Sequence, residues 1–437
     1  MPSFELTPPS GTRDFLPEIV KLRDQVISTI KGVFERFGFV PLETPAFERI
    51  EVITGKYGEE GEKLIFKILK RGTQAATGET DFALRYDFTV PLARVVALYR
   101  NQLGSIFKRY QIGPVWRADH PAKGRFREFY QCDIDTVGNC SPIADVETVF
   151  AMTEVLQALQ LPNFTIRFNS RKALKGLMEA YNITPEDERK VMIALDKLDK
   201  IPLEKAIQEL IAQGLSKETI QQLEDDIQSS SPEEQVRQRL HSSEIGKQGL
   251  QEVDRFQHCL SPLLKTGKTV FSPFLARGLD YYTGIIFEFG IDGFSPSIAA
   301  GGRYDGLIGM FSKGNVPACG CSLGLDRLLS FLAEKQMRQT TNSPEAIVCV
   351  WDEHFYLSAL QTACQLREKG IDTECYPGRG DLRQQLRYAS QKGVSFCILL
   401  GPHEQAQGVV TLKDMRFGIQ YTLIPDKVSD EIVRLRQ

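Results

Sequence analysis

The chain has 437 residues, a formal net charge of −3, 42% hydrophobic residues and nine cysteines. That length predicts two or three domains with full cores, and the near-neutral balance excludes a global basic field for nucleic acid, leaving only local patches for such contacts. The cysteines form no CxxC pair, the five histidines are scattered, and the N-terminus lacks an apolar signal region; with no run of ~18 apolar residues to span a membrane, reduced thiols and a soluble cytoplasmic protein are expected.

Leu22, Val26, Ile30, Val33, Phe34 and Phe37 fall at helical spacing, which predicts an amphipathic helix over residues 19–37 closed by Gly38. It leads into an extended stretch ending at Pro45, and its apolar stripe must be covered by its own domain or by a second subunit. Residues 63–70 and 81–87 read as strands around a polar turn-forming segment. In Arg85-Tyr86-Asp87-Phe88-Thr89-Val90-Pro91, Asp87 and Thr89 would point the same way from an extended backbone. Taken alone, such an aspartate is more often the N-terminal carboxylate of a helix, here the pattern at residues 92–99, than a ligand contact.

Residues 109–136 carry the densest chemistry. Two strands, 109–117 and 126–136, flank a basic loop containing Lys123, Gly124 and Arg125. Along the second strand Phe129, Gln131, Asp133 and Asp135 share one face, and Tyr130, Cys132 and Ile134 the other. An aromatic ring, an amide and two carboxylates in a row, with Arg117 entering from the neighbouring strand, are costly to bury unless a ligand or partner satisfies them. A solvated hairpin face is the plain alternative.

A helix over residues 141–158 and a strand over 164–168 follow, and then residues 171–260 read as short charged helices inserted on the main domain. Thr184-Pro185 and Ser231-Pro232, the second with Glu234 at the third helical position, predict hydroxyl caps before N1 prolines. Arg277, Gly278, Asp280, Tyr281 and Tyr282 make a polar, glycine-flanked turn before a strand at 285–289. Residues 320–327 are a small-residue strand entering a helix at 325–335, with Arg327 in its first turn. A cation there opposes the helix dipole, so an anionic partner explains it better. There is neither a Walker lysine motif nor a GxGxxG. After a polar linker at 335–345, strands at 346–351, 372–376, 394–400 and 409–413 alternate with helices ending at Gly370 and Gly393, predicting a mostly parallel sheet. Asp381 is a candidate N-cap, preceded by Arg379 and followed on one helical face by Arg383 and Arg387.

Three separated pieces, the helix-strand-Pro45 unit, the Arg117 hairpin and the stretch Gly324-Leu325-Asp326-Arg327, resemble the three signature motifs of class II aminoacyl-tRNA synthetases. The segments around Asp87, Tyr281 and Gly301, with ALDKLDKI at 194–201, are similar to those peculiar to histidyl-tRNA synthetases. The resemblance implies an α+β fold: an antiparallel catalytic sheet flanked by helices in residues 1–334, a helical insertion at 171–260, a linker at 335–345 and an α/β anticodon-binding domain at 346–437.

It also implies an ATP-dependent ligase that makes histidyl-adenylate and then loads a histidine-accepting tRNA, working as a homodimer with ATP and Mg²⁺ arriving together. By the same resemblance Asp87, Thr89 and Gln131 hold the substrate ammonium, with Phe88 between the first two. Asp135, where many relatives carry Glu, and Tyr282 take the imidazole nitrogens, with Tyr281 beside them. Arg117 and Arg277 face the α-phosphate and the histidine carboxylate, Arg327 the γ-phosphate, Arg125 the phosphates and Phe129 the adenine; Arg117, Arg277 and Arg327 are the catalytic set. Arg379, Arg383 and Arg387 are implied tRNA contacts. A non-catalytic regulatory relative, such as the synthetase-like subunit of ATP phosphoribosyltransferase, would lack the last domain, and a pure RNA-sensing module would tolerate loss of the phosphate arginines.

Overall fold

The computed structural model describes residues 6–122, 124–198, 201–276, 281–312, 314–335, 343–377 and 381–436. The chain divides into two compact units, Met1–Phe15 with Arg23–Arg338 and Leu16–Leu22 with Gln339–Gln437. Among the described residues no helix is long and apolar enough to cross a membrane.

The first unit contains β1 (Val40–Pro41), β2 (Phe47–Arg49), β3 (Lys67–Leu69), β4 (Thr80–Leu84), β5 (Phe107–Trp116), β6 (Glu128–Val137), β7 (Phe164–Ser170), β8 (Lys268–Phe271), β9 (Ile285–Ile291), β10 (Phe294–Arg303) and β11 (Ala318–Gly324). Eight of these form one sheet in the order β1-β5-β6-β11-β10-β9-β7-β8, and β2-β4-β3 form a small second one. Pairing is antiparallel from β5 through to β7, with β1 and β8 parallel at the two edges. One face is apolar: Cys132, Ile134, Leu323, Phe287 and Phe289 are all buried. Tyr110 shares that face and packs its ring 6.0 Å from Phe34 of the helix Pro17–Arg36. The helices Pro142–Ala158 and Leu325–Glu334 pack on the same sheet. The opposite face carries the polar rows described below.

The N-terminal helix ends one residue before its expected limit, and Gly38 at φ +78° reverses the chain so that Phe39 N donates to Phe34 O at 3.1 Å. The strand expected at 63–70 shrinks to β3 because the turn of the helix Gly58–Glu62 runs on past its end, with Leu64 N donating to Gly61 O at 3.0 Å and Ile65 N to Glu62 O at 3.3 Å. The helix expected at 92–99 runs over Thr89–Leu103, since Asp87 Oδ1 accepts the Val90 N–H at 3.1 Å and satisfies an end donor.

β7 and β8 lie side by side although the chain between them is long, so the insertion must leave and return at one sheet edge. Among the described residues its six helices have their own core around Leu174, Leu177, Leu210, Leu223 and Leu240. The first and last, Arg171–Ala180 and Glu244–Leu260, meet through glycine. A Cβ on Gly176 would run into Gly246 Cα, and one on Gly249 into the Ala173 backbone. Thr184 and Ser231 precede N1 prolines as expected, but neither hydroxyl caps its helix; Thr184 Oγ1 donates instead to Asp187 Oδ2 at 3.1 Å.

The second unit holds β12 (Ala346–Val350), β13 (Thr373–Cys375), β14 (Phe396–Leu400), β15 (Val410–Asp414) and β16 (Gln420–Leu423), in the order β13-β12-β14-β15-β16. The first three are parallel and the last two antiparallel, so the sheet is mixed rather than mostly parallel. The reason lies in the connection: the helix Pro402–Gln407 has six residues, whereas a parallel crossover needs about a dozen or more.

The glycine contact sets a stability test. Gly249→Val is expected to cost about 1–3 kcal/mol or more by overpacking, lowering the urea midpoint. Gly290→Ala, where an added Cβ meets nothing within 4 Å, should leave the midpoint nearly unchanged.

Candidate active site

The register of the sheet assembles the polar face. β5 sets Arg109 opposite Asp135, Gln111 opposite Asp133 and Gly113 opposite Gln131. β11 places Gly320, Ser322 and Gly324 on the other side of the same three residues. Directly paired residues share a sheet face, so the row predicted along β6 is extended on both sides. Gly320 is required there: a Cβ would run into the Asp135 carboxylate.

Asp135 is 2% exposed, and its Oδ2 lies 2.6 Å from Nη2 of Arg109, which has no exposure at all. The Tyr304 hydroxyl donates to its Oδ1. Burial pushes the Asp135 carboxyl above its ordinary range, and Arg109 and Tyr304 work against that shift. Asp135 therefore carries two partners from its own chain in the position that the resemblance assigns to imidazole recognition. Asp133, also 2% exposed, is pushed up to about 7 by burial, with Arg109 opposing and Asp135 adding to the shift. Gln131 Nε2 donates to Ser322 Oγ at 2.6 Å.

Asp87 is buried at the start of the helix Thr89–Leu103, where its Oδ1 accepts both the Tyr57 hydroxyl at 3.0 Å and Val90 N. It is thus at once the helix-end carboxylate and a wall of the site. Burial raises its pKa, against the pull of Val90 N–H and Arg117. Phe88 is fully buried and Thr89 opens the helix. Tyr281 stands 5.0 Å from Tyr282 and 5.9 Å from Tyr304, ring centre to ring centre. The Tyr282 ring lies on Gly302, where a Cβ would crowd it at 3.0 Å. Burial holds the Tyr281 phenol far above its usual range, and Asp87, Arg117 and Asp135 all act on it, which brings the β4–helix segment, the hairpin and the tyrosine pair to one locality.

At the hairpin-loop end the charge reverses. Arg117 donates from Nε to Tyr86 O at 3.1 Å, with its guanidinium 4.3 Å from the Tyr86 ring and 5.3 Å from that of Phe129. Burial opposes its charge, but Tyr86, Asp87, Tyr57 and Asp119 outweigh it and raise its pKa. Arg125 pairs with Asp119 at 2.7 Å. Arg327 donates to Ser297 O at 2.8 Å and to Gly124 O at 3.4 Å, so it borders the same loop. Arg277 lies outside the described residues, as does Arg379. Arg383 and Arg387 are exposed on the helix Leu382–Lys392 of the second unit, whose N-cap Asp381 accepts Gln384 N at 2.9 Å. That unit also has a cavity of about 270 Å³ at the ends of β12 and β14, lined by Trp351, Leu382, Gln385 and Gly401 among others.

Sequence reasoning missed Arg109, Tyr304 and Tyr57. Counting outward from the predicted loop would have put Arg109 opposite Ile134, one residue off; the observed pairing of Trp116 with Glu128 brings it opposite Asp135. Tyr304 sits in the glycine-rich run at 299–307, within the Gly301 segment of the family resemblance, but nothing local marks Tyr57, which reaches Asp87 from 30 positions away.

Comparison with known proteins agrees with this architecture. A family model described as "Histidyl-tRNA synthetase" matches residues 11–328, and one described as "Anticodon binding domain" matches residues 345–435. The "Histidine--tRNA ligase" of Gloeobacter violaceus is 41% identical to this chain over 94% of it and 95% of the relative. The crystal structure of histidyl-tRNA synthetase from Nostoc sp. superposes with a TM-score of 0.82 at 30% identity, covering 99% of this chain and 100% of that one. A structure of an ATP phosphoribosyltransferase regulatory subunit/histidyl-tRNA synthetase from Bacillus halodurans shares the fold, with a TM-score of 0.73 at 21% identity over 89% of this chain and 97% of that one. With the family's fold, its sequence and a polar face built from the predicted motifs all in one polypeptide, the chain belongs to the histidyl-tRNA synthetase family.

Proposed function

We propose that this chain is an ATP-dependent histidine–tRNA ligase that condenses L-histidine with ATP to histidyl-adenylate and pyrophosphate, then transfers the histidyl group to the 3′ end of its tRNA. The observation that carries this reading is the single polar sheet face, acidic around Asp87 and Asp135 and cationic around Arg117. The match of residues 345–435 to an anticodon-binding domain favours it over a regulatory subunit lacking that domain.

In this reading residues 1–334 are the catalytic domain with 171–260 inserted, and 335–345 join it to the anticodon-binding domain at 346–437. Asp87, Thr89 and Gln131 take the ammonium of histidine, beside Phe88. Asp135 and Tyr282 bracket the imidazole with Tyr281 alongside, and an apolar isostere is rejected because it leaves those buried groups unpaired. Arg117 and Arg277 hold the histidine carboxylate near the α-phosphorus, Phe129 stacks on the adenine, and Arg125 and Arg327 hold the outer phosphates of the Mg²⁺–ATP substrate.

Attack of the carboxylate oxygen on the α-phosphorus builds negative charge on the phosphoryl oxygens as pyrophosphate leaves. Fixed guanidinium groups stabilise that charge and align the reactants, so the chain need supply no nucleophile. Arg379, Arg383 and Arg387 contact the tRNA. The protein works in the cytoplasm as a homodimer, for which the exposed apolar groups Val40 on the edge strand β1 and the Phe47–Phe82 ring pair at 5.7 Å are support.

Purified protein with ATP, Mg²⁺ and [³²P]pyrophosphate is expected to show exchange with histidine and none with the other amino acids; absence of histidine-dependent exchange sinks the ligase reading. Arg277→Ala should lower exchange by about 10²-fold or more while histidine still binds in equilibrium dialysis, and near-normal turnover would remove its assigned role. Light scattering at micromolar concentration should give twice the monomer mass of 49.2 kDa, and a monomer would contradict the dimer.

A further inference from the structure

Four buried acceptor oxygens on the polar face have no hydrogen-bond partner among the described residues: Gln111 Oε1, Gln131 Oε1, Asp133 Oδ1 and Asp135 Oδ2, the last of which is ion-paired with Arg109. The first three are neighbours. Gln111 is paired directly across from Asp133, Gln131 is two positions along the same strand face, and Ser322, across from Asp133 on β11, receives the other end of the Gln131 amide. The three residues are 3%, 7% and 2% exposed, so bulk water does not satisfy them. Buried polar atoms in folded proteins are normally paired. Beside the two Arg109 nitrogens without a hydrogen-bond partner among the described residues, these acceptors are in excess, and a group that brings donors alone, such as an ammonium, matches that excess.

The charges agree with this. Among the described residues Asp135 and Asp87 add to the burial that raises the Asp133 carboxyl, so a cation beside it is favoured. Arg109 lowers the Asp133 pKa through space, but its ion pair is with Asp135. Its engaged atom is Nη2, which meets Asp135 Oδ2 and Phe88 O, while its Nε and Nη1 have no hydrogen-bond partner among the described residues. The other end of the site differs in kind: around Asp135, Tyr304 and Tyr281 hydroxyls mix donors with acceptors, as an imidazole requires.

We propose that Asp133, with Gln111 and Gln131, forms the acceptor set that receives the α-ammonium of the amino-acid substrate, so that Asp133 is a substrate-contacting specificity residue beyond those that the family resemblance supplies. This rests on the ligase reading. Asp133 is faced by Arg109 and Gln111 on β5, by Asp135 on its own strand, by Ser322 on β11 and by Asp87 from the helix start. Its carboxyl, buried and titrating near 7, gives up its proton when a cation arrives. A ligand that favours the ionised form binds more tightly as pH rises through that value, so histidine affinity increases across the neutral range.

The test uses the full chain with Asp133→Asn and Asp133→Glu, measuring KM and kcat for histidine by pyrophosphate exchange. Two competitive inhibitors separate the ends of the substrate: histidinol keeps the ammonium and imidazole, and imidazolepropionate keeps the imidazole and carboxylate. Asp133→Asn is expected to raise the histidine KM roughly tenfold or more, with a much smaller change in kcat. It should weaken histidinol to the same degree, leave imidazolepropionate within about twofold, and flatten the pH dependence of KM; Asp133→Glu should restore part of the affinity. Equal weakening of both inhibitors, or an unchanged KM, overturns the proposal. If Asp133→Asn does not fold, Gln111→Leu gives the same comparison: selective loss of histidinol supports the acceptor set and parallel loss of both inhibitors overturns it. Failure of the unmodified protein to exchange would instead strike the ligase reading itself.

Discussion

A guanidinium with no solvent exposure sits between two strands of the central sheet. Arg109 is tolerable there because Asp135 lies directly opposite, 2.6 Å away, and because Phe88 O accepts from the same nitrogen at 3.2 Å. Leaving one member of such a buried pair without its partner costs about 3–5 kcal/mol, so the register of β5 on β6 and the position of the Phe88 segment are tied together. Tyr304 closes the arrangement from the far side by donating to Asp135. One ion pair therefore ties together the Phe88 segment, the β5–β6 hairpin and the segment after β10, which carry Asp87, Gln131 and Tyr304.

Along the polar face the sign of charge changes with position. Carboxylates dominate near Asp133 and Asp135, where burial raises their pKa values and makes an incoming cation welcome. Guanidinium groups dominate toward the hairpin loop, where Arg117 is kept charged by the tyrosines and carboxylates around it. In the ligase reading this gradient orients a zwitterion: ammonium toward the acids, carboxylate toward the arginines and the triphosphate. A substrate bound the other way round would face like charges at both ends, and in a site of low dielectric that penalty is large.

Away from the site, small residues set the geometry. The insertion docks its first and last helices through Gly176, Gly246 and Gly249, so backbone meets backbone and the two helices return the chain to adjacent strands. In the second unit, the side chain of Gln385 bonds both Val350 N, at 2.9 Å, and Val350 O, at 2.6 Å, closing the end of β12 where an open strand terminus would otherwise be buried.

What the sequence by itself determined is what depends on neighbours a few residues apart. The alternation along β6 put Phe129, Gln131, Asp133 and Asp135 on one face because side chains of an extended chain repeat every second residue. The helix stripe from Val26 to Phe34 and the cap at Asp381 are equally local. What only the tertiary structure decided is which groups those faces meet. Arg109, Tyr304 and Tyr57 became part of the site through strand register and loop return, and β15 ran antiparallel because its connection was too short to cross over. Spacing along a chain reports orientation about its own axis. Pairing between distant segments is settled by burial and charge balance among residues that no local pattern relates.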